Sequence, residues 1–113
     1  EGVVYSIEYL ESLAKSGRKK LKKAGIDNVH LIVGDGSSGY EKEAPYDRIS
    51  VACGAPNIPK PLIEQLKENG KILIPVGGQR YQNLIKATKY RNNIEKENLG
   101  GVLFVPLKGK HGF

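Results

Sequence analysis

Two acidic residues stand where apolar runs stop. Glu8 follows Val3-Val-Tyr-Ser-Ile7, and Asp35 follows Val29-His-Leu-Ile-Val33 inside Gly34-Asp35-Gly36. A third break, Gly54-Ala-Pro56, follows Tyr46-Asp-Arg-Ile-Ser-Val-Ala-Cys53. A carboxylate at the end of a strand can accept both hydrogen bonds of a ribose diol, because its two oxygens match the spacing of vicinal hydroxyls. Glycines beside Asp35 let the backbone approach a flat adenine ring. The same residues have plainer uses. A carboxylate after a strand often caps a helix, and Gly-Asp-Gly makes turns readily. A magnesium site would want more than one carboxylate, and Asp47, at a strand start, is a poor second ligand. Cys53 has no histidine near it in sequence and suits a core position better than a nucleophile's. His30 and His111 are the only histidines and lie too far apart for zinc-ligand spacing.

The elements that must position these residues follow from periodicity. Val3 to Ile7 predicts a buried strand. Leu10, Leu13, Ala14, Leu21 and Ala24 then recur at helical spacing, with Arg18-Lys-Lys-Leu-Lys-Lys23 mostly on the opposite side. Cations in the last turns favour the helix dipole, and Gly25 suits the residue that closes a helix. Val29 to Val33 predicts a second strand and Tyr46 to Cys53 a third. Pro59 and Pro61 open a helix through Leu62, Ile63 and Leu66, which Gly70 ends. Lys71 to Val76 predicts a fourth strand. Leu84 to Tyr90 and Val102 to Leu107 predict a final strand pair near the sheet edge, joined by a polar connection from Asn92 to Gly101. Pro106 argues against a central ladder position. This order implies an α/β fold with a mainly parallel sheet and a hairpin-like end. In open sheets of this kind ligands bind outside the carboxyl ends of the strands, where Glu8, Asp35 and Gly54 to Pro56 fall.

The totals narrow the field. The chain has 113 residues, enough for a single domain, 1–113. No apolar run approaches the ~18 residues of a membrane span, so no membrane partner is expected. One cysteine cannot form an internal disulfide, which fits a reducing, cytoplasmic compartment. The net charge of +6 would suit nucleic acid or another acidic partner. Much of that charge sits in Arg18 to Lys23, however, and the simplest use of such a run is a solvated helix face. Aromatics are not interleaved with it, so a base-stacking platform is missing and nucleic acid is disfavoured. Lysine-rich surfaces also accompany heat adaptation. There is no methionine, even at position 1, which suggests a chain that begins inside something larger or has been processed.

The order of motifs resembles one family over essentially the whole chain. Val4-Tyr-Ser-Ile-Glu8, Val33-Gly-Asp-Gly36 with Gly39-Tyr40, Ala44-Pro-Tyr-Asp-Arg-Ile49, Ile58-Pro59, Gln65-Leu66, Gly70, Ile74-Pro-Val-Gly77 and Phe104-Val-Pro-Leu107 are collinear with protein-L-isoaspartate O-methyltransferase. The resemblance is to the C-terminal two-thirds of the family's chain, and Lys108-Gly-Lys-His-Gly-Phe113 looks like its archaeal form. It implies a Rossmann-like class I methyltransferase sheet, mainly parallel with an antiparallel edge. It also implies methyl transfer from S-adenosyl-L-methionine to the L-isoaspartyl carboxylate of damaged proteins, leaving S-adenosyl-L-homocysteine. The methyl ester closes to a succinimide, whose hydrolysis returns some normal aspartyl linkage. Carried over by position, Glu8 matches the ribose-binding acid, with Tyr9 beside it. Asp35 and Gly36 match the pair lining the adenine pocket. Ala52, Gly54, Ala55 and Pro56 match the loop flanking methyl transfer. Val105, Pro106 and Leu107 match the segment along the substrate peptide, with Lys108 beside it near the cofactor. An apolar Phe-Val-Pro-Leu run is equally suited to a core. No catalytic side chain is identified, and no metal.

The resemblance also implies parts with no counterpart in this sequence. They are the family's substrate-binding Ser/Thr segment, the first strand of its sheet with the adjoining helix, and that strand's glycine-rich loop for the methionine half of the cofactor. The expectation is an N-terminally truncated methyltransferase domain with an open sheet edge. Self-association or an upstream segment would cover such an edge. Little or no methyl transfer is expected of the 113-residue chain alone. Methyl incorporation into an isoaspartyl peptide would test this. Two other classes stay open: a basic binding module contacting RNA or another acidic partner, and a degenerate scaffold subunit.

Overall fold

The computed structural model describes residues 2–113. The chain divides into two compact units, Glu1–Gly36 and Ser37–Phe113.

The first unit is a strand–helix–strand. β1 (Val4–Glu8) and β2 (Val29–Val33) pair in parallel with α1 (Glu11–Lys23) between them in sequence. Glu8 is the last residue of β1 rather than the first residue beyond it. α1 approaches β2 closely through Gly17, where an added Cβ would lie 2.7 Å from Leu31 Cδ1. That closeness accounts for a glycine inside a helix, a position it normally weakens. Arg18 bends from the basic run to donate from Nε and Nη2 to the Leu31 carbonyl, at 3.2 and 2.9 Å. The helix carries six cations and one carboxylate, so it holds +5 while the unit's other charged residues are all acidic. Among the described residues of this unit only Ala14 is buried.

The second unit holds a four-stranded sheet in the order β3-β4-β5-β6. β3 (Tyr46–Ser50) runs parallel to β4 (Leu66–Gly77), with α2 (Lys60–Glu64) in the crossover. β4–β5 (Gln82–Tyr90) and β5–β6 (Asn93–Val102) are antiparallel. Ala55, Leu62, Leu66, Ile72, Ile74, Ala87 and Leu107 form one buried cluster.

Several expectations need correction. α2 ends at Glu64, and Gly70 lies inside β4 rather than stopping the helix. Between its pairings with Tyr46 and Arg48, β4 advances from Leu66 to Lys71, so residues 67–70 bulge. Gly70 is glycine because a Cβ there would meet the Lys67 carbonyl oxygen at 2.8 Å. β3 stops at Ser50, short of Cys53, although the Val51 amide still donates to Leu73. The largest difference is at the C-terminal end. Asn93–Val102 is a strand, and residues 103–107 lie outside the named strands. The connection is a two-residue turn, Arg91 and Asn92, both at positive φ (50° and 64°), as a type I′ hairpin requires. β6 is the edge strand and almost wholly exposed, so it lacks the apolar alternation that marks a half-buried strand. Its Glu95, Lys96 and Glu97 suit an edge that must not pair with other chains. Pro106 does avoid a ladder position, making only an isolated parallel bridge with Gly54.

Candidate functional site

Glu8, Tyr9, Asp35 and Gly36 fall in the first unit. The parallel register places Glu8 opposite Val33, and the Gly34 amide donates to the Glu8 carbonyl at 2.9 Å. The two strands therefore finish level, and Glu8 and Gly34-Asp35-Gly36 begin from the same end of the pair. The Glu8 side chain is half-buried and has no hydrogen-bond or ion-pair partner among the described residues. It does not serve as the α1 N-cap, which is Leu10 with no side-chain capping bond. Neither Gly34 nor Gly36 has a positive φ, and a Cβ at either would make only ordinary contact with Ile7, at 3.8 Å. Internal packing thus does not demand glycine at these two positions. Tyr9 is exposed and Asp35 half-buried.

Ala52, Gly54, Ala55, Pro56, Val105, Pro106, Leu107 and Lys108 fall in the second unit. Backbone bonds bring most of them together. The Gly54 amide donates to the Val105 carbonyl at 2.7 Å, and the Leu107 amide donates to the Gly54 carbonyl at 2.8 Å. This pairing passes over Pro106 and uses its neighbours, so the missing proline N–H costs nothing. Ala55 joins β4 by donating to Pro75 and accepting from Gly77, both at 2.9 Å. Gly54 and Ala55 are buried, whereas Ala52 and Pro56 on either side are exposed. The Phe104-Val-Pro-Leu107 run divides likewise: Val105 is 69% exposed, and Leu107 belongs to the core. Lys108 is exposed where the chain folds back, the Phe113 amide donating to the Leu107 carbonyl at 2.8 Å.

Three polar residues outside the expected site hold backbone segments of this unit. Gln82 is completely buried, and its amide donates to the Gly78 carbonyl at 2.7 Å and accepts from the Phe104 amide at 2.8 Å. Gln65 donates to the Ser38 carbonyl at 3.0 Å and accepts from the Tyr40 amide at 2.9 Å. Ser37 Oγ accepts from the His111 amide at 3.0 Å, tying Lys108 to Phe113 back to the loop after Gly36. A buried polar side chain leaves little trace in a hydrophobic pattern. The adjoining glycines are the one local signal: a Cβ at Gly39 or Gly54 would strike the amide of Gln65 or Gln82 at 2.2 or 2.6 Å. An open hollow of about 660 Å³, with Glu41, Glu64 and Gln65 in its lining, contains none of the expected site residues.

The family model for protein-L-isoaspartate(D-aspartate) O-methyltransferase matches residues 1–112. This chain belongs to that family. It is 55% identical to protein-L-isoaspartate O-methyltransferase 2 of Archaeoglobus fulgidus, covering 99% of this chain and 51% of the relative. It is 50% identical to the Pyrococcus horikoshii enzyme of that name, covering 100% and 52%. The chain therefore spans about half the length of these curated relatives, less than the two-thirds expected. A solved protein-L-isoaspartate O-methyltransferase superimposes with a TM-score of 0.90 at 28% identity, over 98% of this chain and 36% of that one. A Plasmodium falciparum structure assigned to the same family, in complex with S-adenosyl-L-homocysteine, gives 0.80 at 31% identity, over 94% and 52%. The α/β fold with a mixed parallel and antiparallel arrangement is the family's. Among the described residues no helix is long and apolar enough to cross a membrane.

Proposed function

We propose that this chain supplies the nucleoside-binding strand ends and the peptide-binding segment of a methyltransferase acting on the L-isoaspartyl carboxylate of damaged proteins. The observation that carries it is the Glu8 carboxylate, without a partner among the described residues and level with Gly34-Asp35-Gly36 across a parallel strand pair. Such a carboxylate has its acceptors free for a ligand, and a ribose diol offers two donors. Asp35 and Gly36 then line the adenine, with Tyr9 at its side. The Plasmodium relative's S-adenosyl-L-homocysteine supports a cofactor of this class.

When bound, S-adenosyl-L-methionine supplies the activated methyl group, and the substrate's own carboxylate is the nucleophile. The protein therefore needs no deprotonated base. Its residues have to bind, align and exclude water. Glu8 fixes the ribose and so the distance from the adenine side to the methyl. Exposed Ala52, Pro56 and Val105 line the peptide. Buried Gly54, Ala55 and Leu107, with Pro106, form the platform that keeps them in place. The single half-buried Cys53 fits a reducing, cytoplasmic setting.

Titration calorimetry with S-adenosyl-L-homocysteine tests this. The unaltered chain should bind, and Glu8→Ala should lose about tenfold or more in affinity, roughly 1.4 kcal/mol. Equal binding by both would remove Glu8 from the site, and no binding by either would overturn the function.

A further inference from the structure

We infer that Gln82 is a positioning residue for the peptide side of the site, setting the backbone register of residues 103–107. The inference rests on the function proposed above and concerns a residue outside the expected site.

Past Val102 the chain leaves the sheet, and Leu103, Phe104 and Val105 have no ladder of their own. Such a segment can slip by one residue, which would exchange its outward and inward side chains. Gln82 prevents this. It opens β5 opposite Val102, and its Oε1 accepts the Phe104 N–H in place of a neighbouring strand. With Phe104 fixed, Leu103 and Val105 stay 70% and 69% exposed, and the Val105 carbonyl meets the Gly54 N–H. The other end of the same amide donates to Gly78, holding the start of the β4–β5 loop. Gly54 completes the arrangement, since its bare Cα leaves the space the Gln82 amide occupies. One side chain thus joins the Gly54 loop, the Gly78 loop and the Phe104–Leu107 segment. An apolar residue of similar volume could fill the space, but it would leave the Phe104 N–H unpaired.

The role is distinct from bulk support, because the glutamine's two functions can be separated and restored. Gln82→Leu keeps volume and removes both bonds. Gln82→Glu restores both only when the carboxyl is protonated, since the acid form can donate to Gly78 and accept from Phe104. Burial favours that neutral form.

The experiment is calorimetric binding of an isoaspartyl peptide and, separately, of S-adenosyl-L-homocysteine to the full chain. Unaltered protein, Gln82→Leu and Gln82→Glu are compared between pH 5 and 8. Gln82→Leu should weaken the peptide about tenfold, leave the nucleoside ligand within about twofold, and speed amide exchange at Phe104 and Leu107. Gln82→Glu should approach the unaltered chain at pH 5 and fall away toward pH 8, after correction for the unaltered protein's own pH profile. Peptide affinity in Gln82→Leu equal to the unaltered chain, or a Gln82→Glu deficit that does not depend on pH, would overturn the role and leave the proposed function standing. If the unaltered chain takes up no isoaspartyl peptide, the function fails on the peptide side and this role falls with it.

Discussion

The two units differ in their least exposed polar groups, although Arg18 and Asn28 of the first also bind backbone of their own unit. In the second, the buried polar side chains are turned inward: Ser37, Gln65 and Gln82 all bind backbone of their own unit. In the first, the half-buried Glu8 carboxylate sits at a strand end with no partner among the described residues. Apolar burial differs in the same sense. The core cluster lies wholly in the second unit, while the first leaves Val3, Val4, Leu10, Leu13, Ile26 and Val33 exposed and, among its described residues, buries only Ala14. The lesson is a division of labour. One region spends its buried polar residues on a fixed backbone, and the other leaves the Glu8 carboxylate available at a strand end. Charge follows the division: α1 holds +5, whereas both ion pairs assigned among the described residues, Lys67–Asp47 and Lys86–Glu97, are in the second unit.

This contrast can be attacked where it is strongest. Ile72→Ala and Ile74→Ala remove completely buried side chains and should each cost about 2–5 kcal/mol in denaturant unfolding. Values below 1 kcal/mol would mean that the second unit does not carry the core. Gly39→Ala should cost more than about 1 kcal/mol, because φ is +69° and the new methyl strikes Gln65. Its effect should be non-additive with Gln65→Ala, since the two side chains compete for one space. Leu21→Ala, half-buried on α1, should cost about 1 kcal/mol or less, and a larger loss would show that the first unit is better packed than its exposure suggests. Replacing Lys15, Lys19 and Lys23 together by glutamine should change stability least. It removes like charges four apart but also the Glu11–Lys15 spacing and a last-turn cation, so helicity by circular dichroism should change little.

Much was legible in advance because apolar periodicity is a local signal. β2 has the expected bounds, and α1 lies within the expected span because its apolar residues recur at helical spacing. β6 was not legible, because an exposed edge strand needs no apolar face. The length of α2 was not either, since the bulge before Lys71 is imposed by pairing with β3. For the site, residue types at strand ends singled out Glu8, Asp35 and Gly54 to Pro56. Which residues of the Val105–Leu107 run face outward depends on a bond from Gln82, 22 residues back along the chain.

By itself the sequence determined the order of elements as far as β5 and the family, and it singled out strand ends as candidates for ligand chemistry. These depend on residue type and short spacing, which survive without coordinates. The tertiary structure alone decided that Glu8 has no partner among the described residues and that Gly54 is bonded on both sides of Pro106. It also decided that the buried Gln82 side chain accepts the Phe104 amide. A hydrogen bond between distant residues is a matter of position in space, and no local pattern encodes it.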